Sequence, residues 1–484
     1  MPYAAAPVGD LRFRSPRPVE PWSGVRDATA FGPVAPQDRN GQFLGPAPHV
    51  AMDEDCLTIN VIAPPTDSKQ LRPVMVFIHG GAYSVGSSRE IHALGEVLVR
   101  RGDVIFVNFN YRLGALGYLD FSSYSSRARR FDSNLGLRDQ VAALEWVRDN
   151  VASFGGDASR VTVFGESAGG NAVTTLMAVP RASTLFSGAI AQSPPANAIY
   201  PTRLTAIWAA EFVELLSEVV DNSAVESTSP DDAGELLVTA SAEQLVEATT
   251  RMQRRSPDHA PGTIALSPVI DGDFLPERPL DAFKHGRAHR VPLIIGTNDR
   301  EGSLFRGRLD ILATTPPRIR AIFARTRKKA RKALKAQYPG LPAQRAALDF
   351  GGDYAFWYPS VKVAERHSRF ARVYFYRFDI APRLLRLLGY GATHGLELFA
   401  LFDRTDGRVS RFMGTLGGRR AFLRAGRRMQ DEWLHFAYYG KTSPSWPRYD
   451  AKRRRTLIID TSDRVEEDPR AERRLAWQAF VPHV

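Results

Sequence analysis

Val161-Thr162-Val163-Phe164-Gly165-Glu166-Ser167-Ala168-Gly169-Gly170 decides the fold. Its first four residues suit a strand, the small-residue run Ala168–Ala178 suits a helix, and a Gly-x-Ser-x-Gly joins them. A serine at the tip of so tight a strand-to-helix turn has strained backbone angles, and bulky neighbours two residues either side would collide. Gly165 and Gly169 remove the clash and let the Ser167 hydroxyl project. A helix starting at Ala168 also aims its free amides and its dipole at negative charge developing beside that hydroxyl.

Outward from this turn the chain alternates strand and helix. Leu57–Val61 alternates like a half-buried strand. Val74–Ile78, Val104–Phe109, Ala189–Gln192, Val291–Gly296, Val373–Phe378 and Leu457–Ile459 are apolar runs suited to strands buried on both faces. Leu137, Val141, Leu144, Val147 and Val151 recur at helical spacing, and Gly155-Gly156-Asp157 supplies the stop. The order predicts an α/β fold: a mostly parallel sheet flanked by helices, with helical insertions over the carboxyl edge of the strands. The first fifty residues, rich in Pro and Gly, are expected to be loop with short extended pieces, and Asp221–Glu235 a surface loop. No repeat or low-complexity tract divides the chain, so residues 1–484 are expected to form one catalytic domain.

The net charge of +12 admits anionic partners. No P-loop, zinc-ligand spacing or RNA-binding aromatic signature accompanies it, so the charge is assigned to a solvated surface and no nucleic-acid partner is expected. No apolar run reaches membrane-spanning length. Cys56 is the single cysteine, and Met1–Pro7 lacks the basic and apolar stretches of a secretory signal, which together favour the cytoplasm.

His79-Gly80-Gly81-Ala82-Tyr83 follows the Val74–Ile78 strand. Attack by a serine on an ester carbonyl puts negative charge on the oxygen, and consecutive small residues let successive amides converge on it. The amides of Gly81, Ala82 and Ala168 are the candidate oxyanion donors. A plain Gly-rich turn explains the loop equally well when it stands alone; beside the serine motif the functional reading prevails.

Glu54-Asp55-Cys56-Leu57 with Asn60, then His79–Tyr83, then Gly165–Gly170 resemble the type-B carboxylesterase family of para-nitrobenzyl esterases, animal carboxylesterases and cholinesterases. The likeness continues through Tyr111-Arg112, Asn134–Gln140 and Phe154–Asp157, thins after Ser193 and returns further on. It implies the α/β-hydrolase fold, hydrolysis of carboxylic esters and no metal or cofactor. It also implies an N-terminal hairpin ahead of Met1–Phe13, so this chain is expected to begin inside that segment. Cys56 matches a cysteine that secreted relatives pair in a disulfide; alone here, it is expected to be a buried thiol. The tryptophan against which cholinesterases stack choline has no counterpart in Phe43–Ala47, which disfavours choline esters.

A serine hydroxyl needs a base, and the base needs a carboxylate, in the chain order nucleophile, acid, histidine. His285, His289, His367, His394 and His435 lie downstream. His394, in Ala392-Thr393-His394-Gly395-Leu396-Glu397-Leu398, is chosen: a loop position whose surroundings resemble the family's His-Gly-x-Glu-Leu segment. His285 and His289 read as surface, and His435 as a core or surface residue of an aromatic helix. Glu301, after Val291–Ile295, resembles the family's acid; without the resemblance Asp299 and Glu301 are equal candidates.

Glu166 is expected to tune the site's field from beside the serine, and Tyr83 to narrow the acyl side. Arg318–Lys335 reads as one basic amphipathic helix, preferentially packed on the catalytic domain, with peripheral membrane contact as the alternative. The expected activity is a two-step acyl transfer on a small-molecule or lipid ester by Ser167, Glu301 and His394. The alternatives are an acyltransferase sharing the same acyl-enzyme and a non-catalytic binding protein on the same fold.

Overall fold

The computed structural model describes residues 1–39, 46–47, 49–65, 70–221, 230–307, 310–404 and 408–480. The apolar runs form β1 Ile59–Ile62, β2 Arg72–Ile78, β3 Ile105–Phe109, β4 Gly156–Glu166 and β5 Gly188–Gln192. A two-residue pair, β6 Tyr200–Pro201 and β7 Val269–Ile270, stands apart from the main sheet. β8 Leu293–Asn298, β9 Val373–Phe378, β10 Arg455–Ile459 and β11 Arg464–Glu467 complete it. The order is β1-β3-β2-β4-β5-β8-β9-β10-β11. The edge strands β1 and β11 run antiparallel to their neighbours and all other pairings in this sheet are parallel.

Side chains of successive strand residues point to opposite faces, and both faces of this sheet are apolar. Val74, Val76 and Val163 therefore pack into one core with Leu144 and Val147 of the Leu135–Asn150 helix. Phe77 and Phe164, their rings 4.9 Å apart, pack into the opposite core with Trp433 of the Arg419–Tyr439 helix. Burial on both sides is why these strands read as unbroken apolar runs.

Two elements differ from the sequence expectation. Pro230–Glu235 is the start of a helix, Pro230–Thr239, opened by Asp231 and Asp232 where the helix dipole favours acids; residues 222–229 of the expected loop lie outside the described residues, as do Phe43–Gly45. The basic segment is two helices, Pro316–Ala324 and Lys328–Ala336, rather than one. Arg318 is buried between Asp258 (2.6 Å) and Asp310 (3.0 Å), and Ala330 and Leu334 are buried, so the apolar stripe faces the protein. The packed reading of this segment is the correct one. Among the described residues no helix is long and apolar enough to cross a membrane.

The insertions sit where they can shape a site. The Ala242–His259 helix lies on the loop after β3, Thr249 Oγ1 accepting the Ala115 N–H at 3.3 Å. Ser167 follows β4 and Glu301 follows β8; the loop bearing His394 lies beyond β9. A parallel sheet gathers such positions at the carboxyl ends of its strands.

Candidate active site

Ser167 has φ 59° and ψ −122°, a left-handed conformation that a non-glycine residue holds only under constraint. Its N–H donates to Gln192 C=O (2.9 Å) and its C=O accepts from Asn171 N–H (2.8 Å), fixing the turn at both ends. A Cβ at Gly169 would sit 2.0 Å from the Ile78 carbonyl oxygen, and one at Gly165 2.6 Å from the same atom. The two glycines thus let β4 and the Ala168–Leu176 helix lie against the end of β2.

The loop after β2 is held in an uncommon backbone path. Gly81, Ala82 and Tyr83 have φ of 110°, 52° and 56°. A Cβ at Gly81 would overlap the Val85 carbonyl oxygen at 2.0 Å, so glycine is required there. Ser84 and Val85 N–H donate to Gly81 C=O, and Gly114 N–H donates to Tyr83 C=O at 2.7 Å. His79 stacks on Tyr111 at 4.3 Å, and the Tyr111 hydroxyl donates to His79 C=O at 2.6 Å. The loop abuts the Ser167 turn, since a Cβ at Gly80 would lie 3.1 Å from Ser167 Cβ. Tyr83 does not narrow an acyl pocket: it is buried, stacks on Tyr118 at 3.9 Å and donates to Asn171 Oδ1 at 2.7 Å. It bolts the loop to the helix behind Ser167.

His394 Nδ1 lies 2.6 Å from Glu301 Oε2. The other oxygen of Glu301 accepts from Ser193 Oγ and from Asn298 N–H, both at 2.6 Å. With its lone pairs so engaged, Glu301 has one orientation. Gly302 has no room for a side chain, a Cβ there falling 1.8 Å from Leu348 C=O, which seats the loop against the Gln344–Gly352 helix. Phe356 lies over the imidazole at 4.3 Å and Phe305 at 5.1 Å. Asn298 Nδ2 ties the Thr393 carbonyl (2.7 Å) and Glu397 to the same loop.

Glu166 does more than set a distant field. Its Oε1 lies 3.1 Å from His394 Nε2, and both side chains are buried. Burial pulls the imidazole pKa down, but the Glu166 and Glu301 carboxylates more than offset this and raise it to about 9. Burial raises the Glu166 carboxyl well above the usual range despite the nearby imidazole, with Glu397 and Glu301 adding repulsion. Glu397 is raised in the same direction by burial and by Glu301.

The remaining candidates separate from this cluster. Asp299 turns to Arg470 at 2.7 Å. His367 is buried with Nε2 2.9 Å from Val291 C=O, and His435 Nδ1 lies 2.7 Å from Lys441 C=O. His285 is exposed beside Arg287. His289 is not a surface residue as expected: it is half-buried 5.6 Å from the Phe186 ring, and burial lowers its pKa to about 4. Cys56 is buried, and burial raises its thiol pKa. Sequence reasoning missed Ser193, Asn298, Phe305 and Phe356. Asn298 was findable, closing β8 three residues before the acid; the others come from segments with no motif of their own.

A cavity of about 580 Å³ opens beside the loop after β2, lined by Ser84, Val85, Leu113, Thr249 and Ile311 among others. Ile311 packs against the apolar cluster of Phe305 and Phe356, whose rings cover His394. The cavity therefore borders the loop after β2 directly and the rings over His394 only through Ile311.

A sequence profile described as the carboxylesterase family matches residues 1–477. The chain is 36% identical over 477 residues to a para-nitrobenzyl esterase of Bacillus subtilis (strain 168), covering 98% of this chain and 93% of that one. It is 32% identical to a fumonisin B1 esterase of Sphingopyxis macrogoltabida, covering 93% and 81%. Among solved structures, a PNB esterase superposes with a TM-score of 0.82 at 35% identity, covering 98% of this chain and 94% of that one. A thermophilic PNB esterase gives 0.85 at 34% identity with the same coverage.

Proposed function

Because the chain belongs to the carboxylesterase family and is a serine hydrolase of carboxylic esters with the α/β-hydrolase fold, we propose that Ser167 is its nucleophile, His394 its general base and Glu301 the carboxylate that orients the base. The observation that carries this reading is the 2.6 Å contact between His394 Nδ1 and Glu301 Oε2; Nε2 lies 3.1 Å from Glu166 Oε1, on the residue just before Ser167. Neutral His394 takes the Ser167 hydroxyl proton at Nε2 as Oγ bonds to the ester carbonyl carbon. The imidazolium is stabilised by Glu301, which keeps its own charge. The Gly81, Ala82 and Ala168 amides meet the oxyanion. As the tetrahedral intermediate collapses, the carbon–alkoxy bond breaks and His394 returns the proton to the departing alcohol. A water then repeats the sequence on the acyl-enzyme and frees the acid.

The substrate in this reading is a small-molecule ester admitted by the 580 Å³ cavity, para-nitrobenzyl esters being the first class to try given the 36% identity to a para-nitrobenzyl esterase. The chain acts as one catalytic domain. The lone, buried Cys56 supports residence in the cytoplasm.

A fluorophosphonate probe tests the assignment. Peptide mass mapping is expected to find one adduct, on Ser167, with loss of para-nitrobenzyl ester turnover in step with labelling. An adduct on another serine, or turnover surviving in Ser167→Ala, overturns it.

A further inference from the structure

The Lys328–Ala336 helix turns its apolar residues inward, but a second cationic region does the opposite. On and just beyond the Arg383–Leu387 helix, Leu387 is 75% and Leu388 46% exposed, and beside them Phe412 and Leu416 are 57% and 49% exposed. The two segments are in contact: the Arg383–Leu387 and Arg408–Met413 helices pack together, and Arg383 N–H donates to Gly417 C=O. Four large, exposed apolar side chains thus lie on two segments that pack together, where on an ordinary protein surface such side chains are scattered singly.

Cationic side chains border the patch. Arg383, Arg386, Arg411 and Arg420 are exposed at its margin. From Arg408 to Gln430 the chain carries seven arginines and no acid, and from Ile380 to Leu396 it carries no acid either. Arg428 of that run pairs with Asp463, as Arg100 does with Glu96 and Arg148 with Asp149 elsewhere. An apolar centre inside a cationic rim matches a surface that offers acyl chains beneath anionic head groups.

The patch is also wired to the site. The segment that carries Leu387 and Leu388 continues through Gly389 and Tyr390 to His394. Arg300 donates to Gly389 C=O, and Ser303 Oγ donates to Tyr390 C=O at 2.7 Å, anchoring it to the acid loop. We infer that this face docks the enzyme on an anionic phospholipid surface, with the apolar four entering the head-group layer and the arginines pairing with lipid phosphates. The docking stands apart from the catalytic assignment. That it brings lipid-borne esters to Ser167 rests on that assignment.

The test is co-sedimentation of the full chain with vesicles of phosphatidylcholine alone or mixed equally with phosphatidylglycerol. Wild type is expected to pellet with the anionic vesicles only, and to be released at high salt. Leu387→Ser/Phe412→Ser and Arg386→Glu/Arg411→Glu are each expected to weaken binding about tenfold or more. Both should hydrolyse a water-soluble para-nitrophenyl ester at the wild-type rate, which separates a failed docking surface from a failed active site. Equal binding to neutral vesicles, or binding untouched by both variants, overturns the inference. So does a wild-type oligomer, seen by sedimentation equilibrium, that Leu387→Ser/Phe412→Ser dissociates, since the patch would then be a contact between copies of the chain.

Discussion

Ser167 and His394 are held in place by different means. The serine's turn is built from one continuous stretch: β4, two glycines and a helix that cannot approach β2 in any other way. The histidine is held by side chains from three separated segments, at Glu166, at Asn298, Glu301 and Phe305, and at Phe356, with Asn298 tying down the neighbouring Thr393 carbonyl. The nucleophile's place is a backbone property and tolerates change at a distance. The base's place is a network property, open to adjustment by any loop that contributes to it.

The contrast is broken most directly at Glu301. Glu301→Gln keeps the shape of the side chain but removes the charge that balances an imidazolium, and kcat is expected to fall about 10⁴-fold with little change in KM. Steady-state kinetics on a para-nitrophenyl ester decide it. A loss smaller than tenfold would mean that Glu166 can serve as the orienting acid.

Next in size are the two glycines that seat the two halves. Gly169→Ala drives a methyl into Ile78 C=O and Gly302→Ala drives one into Leu348 C=O, at 2.0 and 1.8 Å. Each is expected to destabilise the fold by about 3 kcal/mol in urea unfolding. The halves should differ in what survives. Gly302→Ala can relax by shifting the acid loop, so the folded fraction loses kcat as well, whereas folded Gly169→Ala keeps a working triad. Equal specific activity in the two folded variants would erase the distinction between the two halves.

Much of this was legible because it is local. The apolar runs marked the strands of the parallel sheet, and the Gly-x-Ser-x-Gly context marked the turn, since both follow from residues adjacent in sequence. Edge strand β11, Arg464–Glu467, carries an exposed charged pattern and was invisible. The Arg318–Lys335 stretch shows the limit of periodicity: its apolar spacing was real, but a break at Arg325–Arg327 divides it into two helices and burial of Leu334 removes the face a membrane would need. Its mirror image at Leu387 and Phe412 had no such signal, because exposure is decided by what fails to pack against a residue. Tyr83 was misread for a related reason. Its neighbours Gly81 and Ala82 suggested a pocket wall, yet Asn171 and Tyr118 draw the ring into the core. Ser193 could not have been chosen at all, since its role depends on β5 ending opposite the loop after β8.

Ser193 sharpens the comparison on a smaller scale. Ser193→Ala removes one of the two hydrogen bonds on Glu301 Oε1 while Asn298 N–H keeps the other. One such bond to a carboxylate contributes about 1.5 kcal/mol, so kcat is expected to drop about tenfold with KM unchanged. Threonine, which restores a hydroxyl, should recover much of that loss if positioning of the acid is the cause.

The smallest effect is a shift rather than a loss. His394 must be neutral to take the serine's proton, and its pKa of about 9 means that activity rises with pH through the alkaline range. Glu166→Gln removes one of the two carboxylates holding the imidazolium, so the midpoint of the kcat profile should move down by about one unit. That midpoint belongs to the coupled cluster of His394, Glu166 and Glu397, not to one residue. The same substitution has a stability signature of definite sign. A histidine raised from 6.5 to about 9 stabilises the fold fully below pH 6.5, and the contribution is lost as pH rises through 9. Glu166, also raised, acts in the same direction from a lower starting pH. Wild type is therefore expected to lose melting temperature between pH 6 and 9, and Glu166→Gln to lose less. A midpoint and a melting slope both unmoved by Glu166→Gln would show that its carboxylate does not share the His394 proton in solution, leaving Glu301 and Glu397 as the charges that set the base.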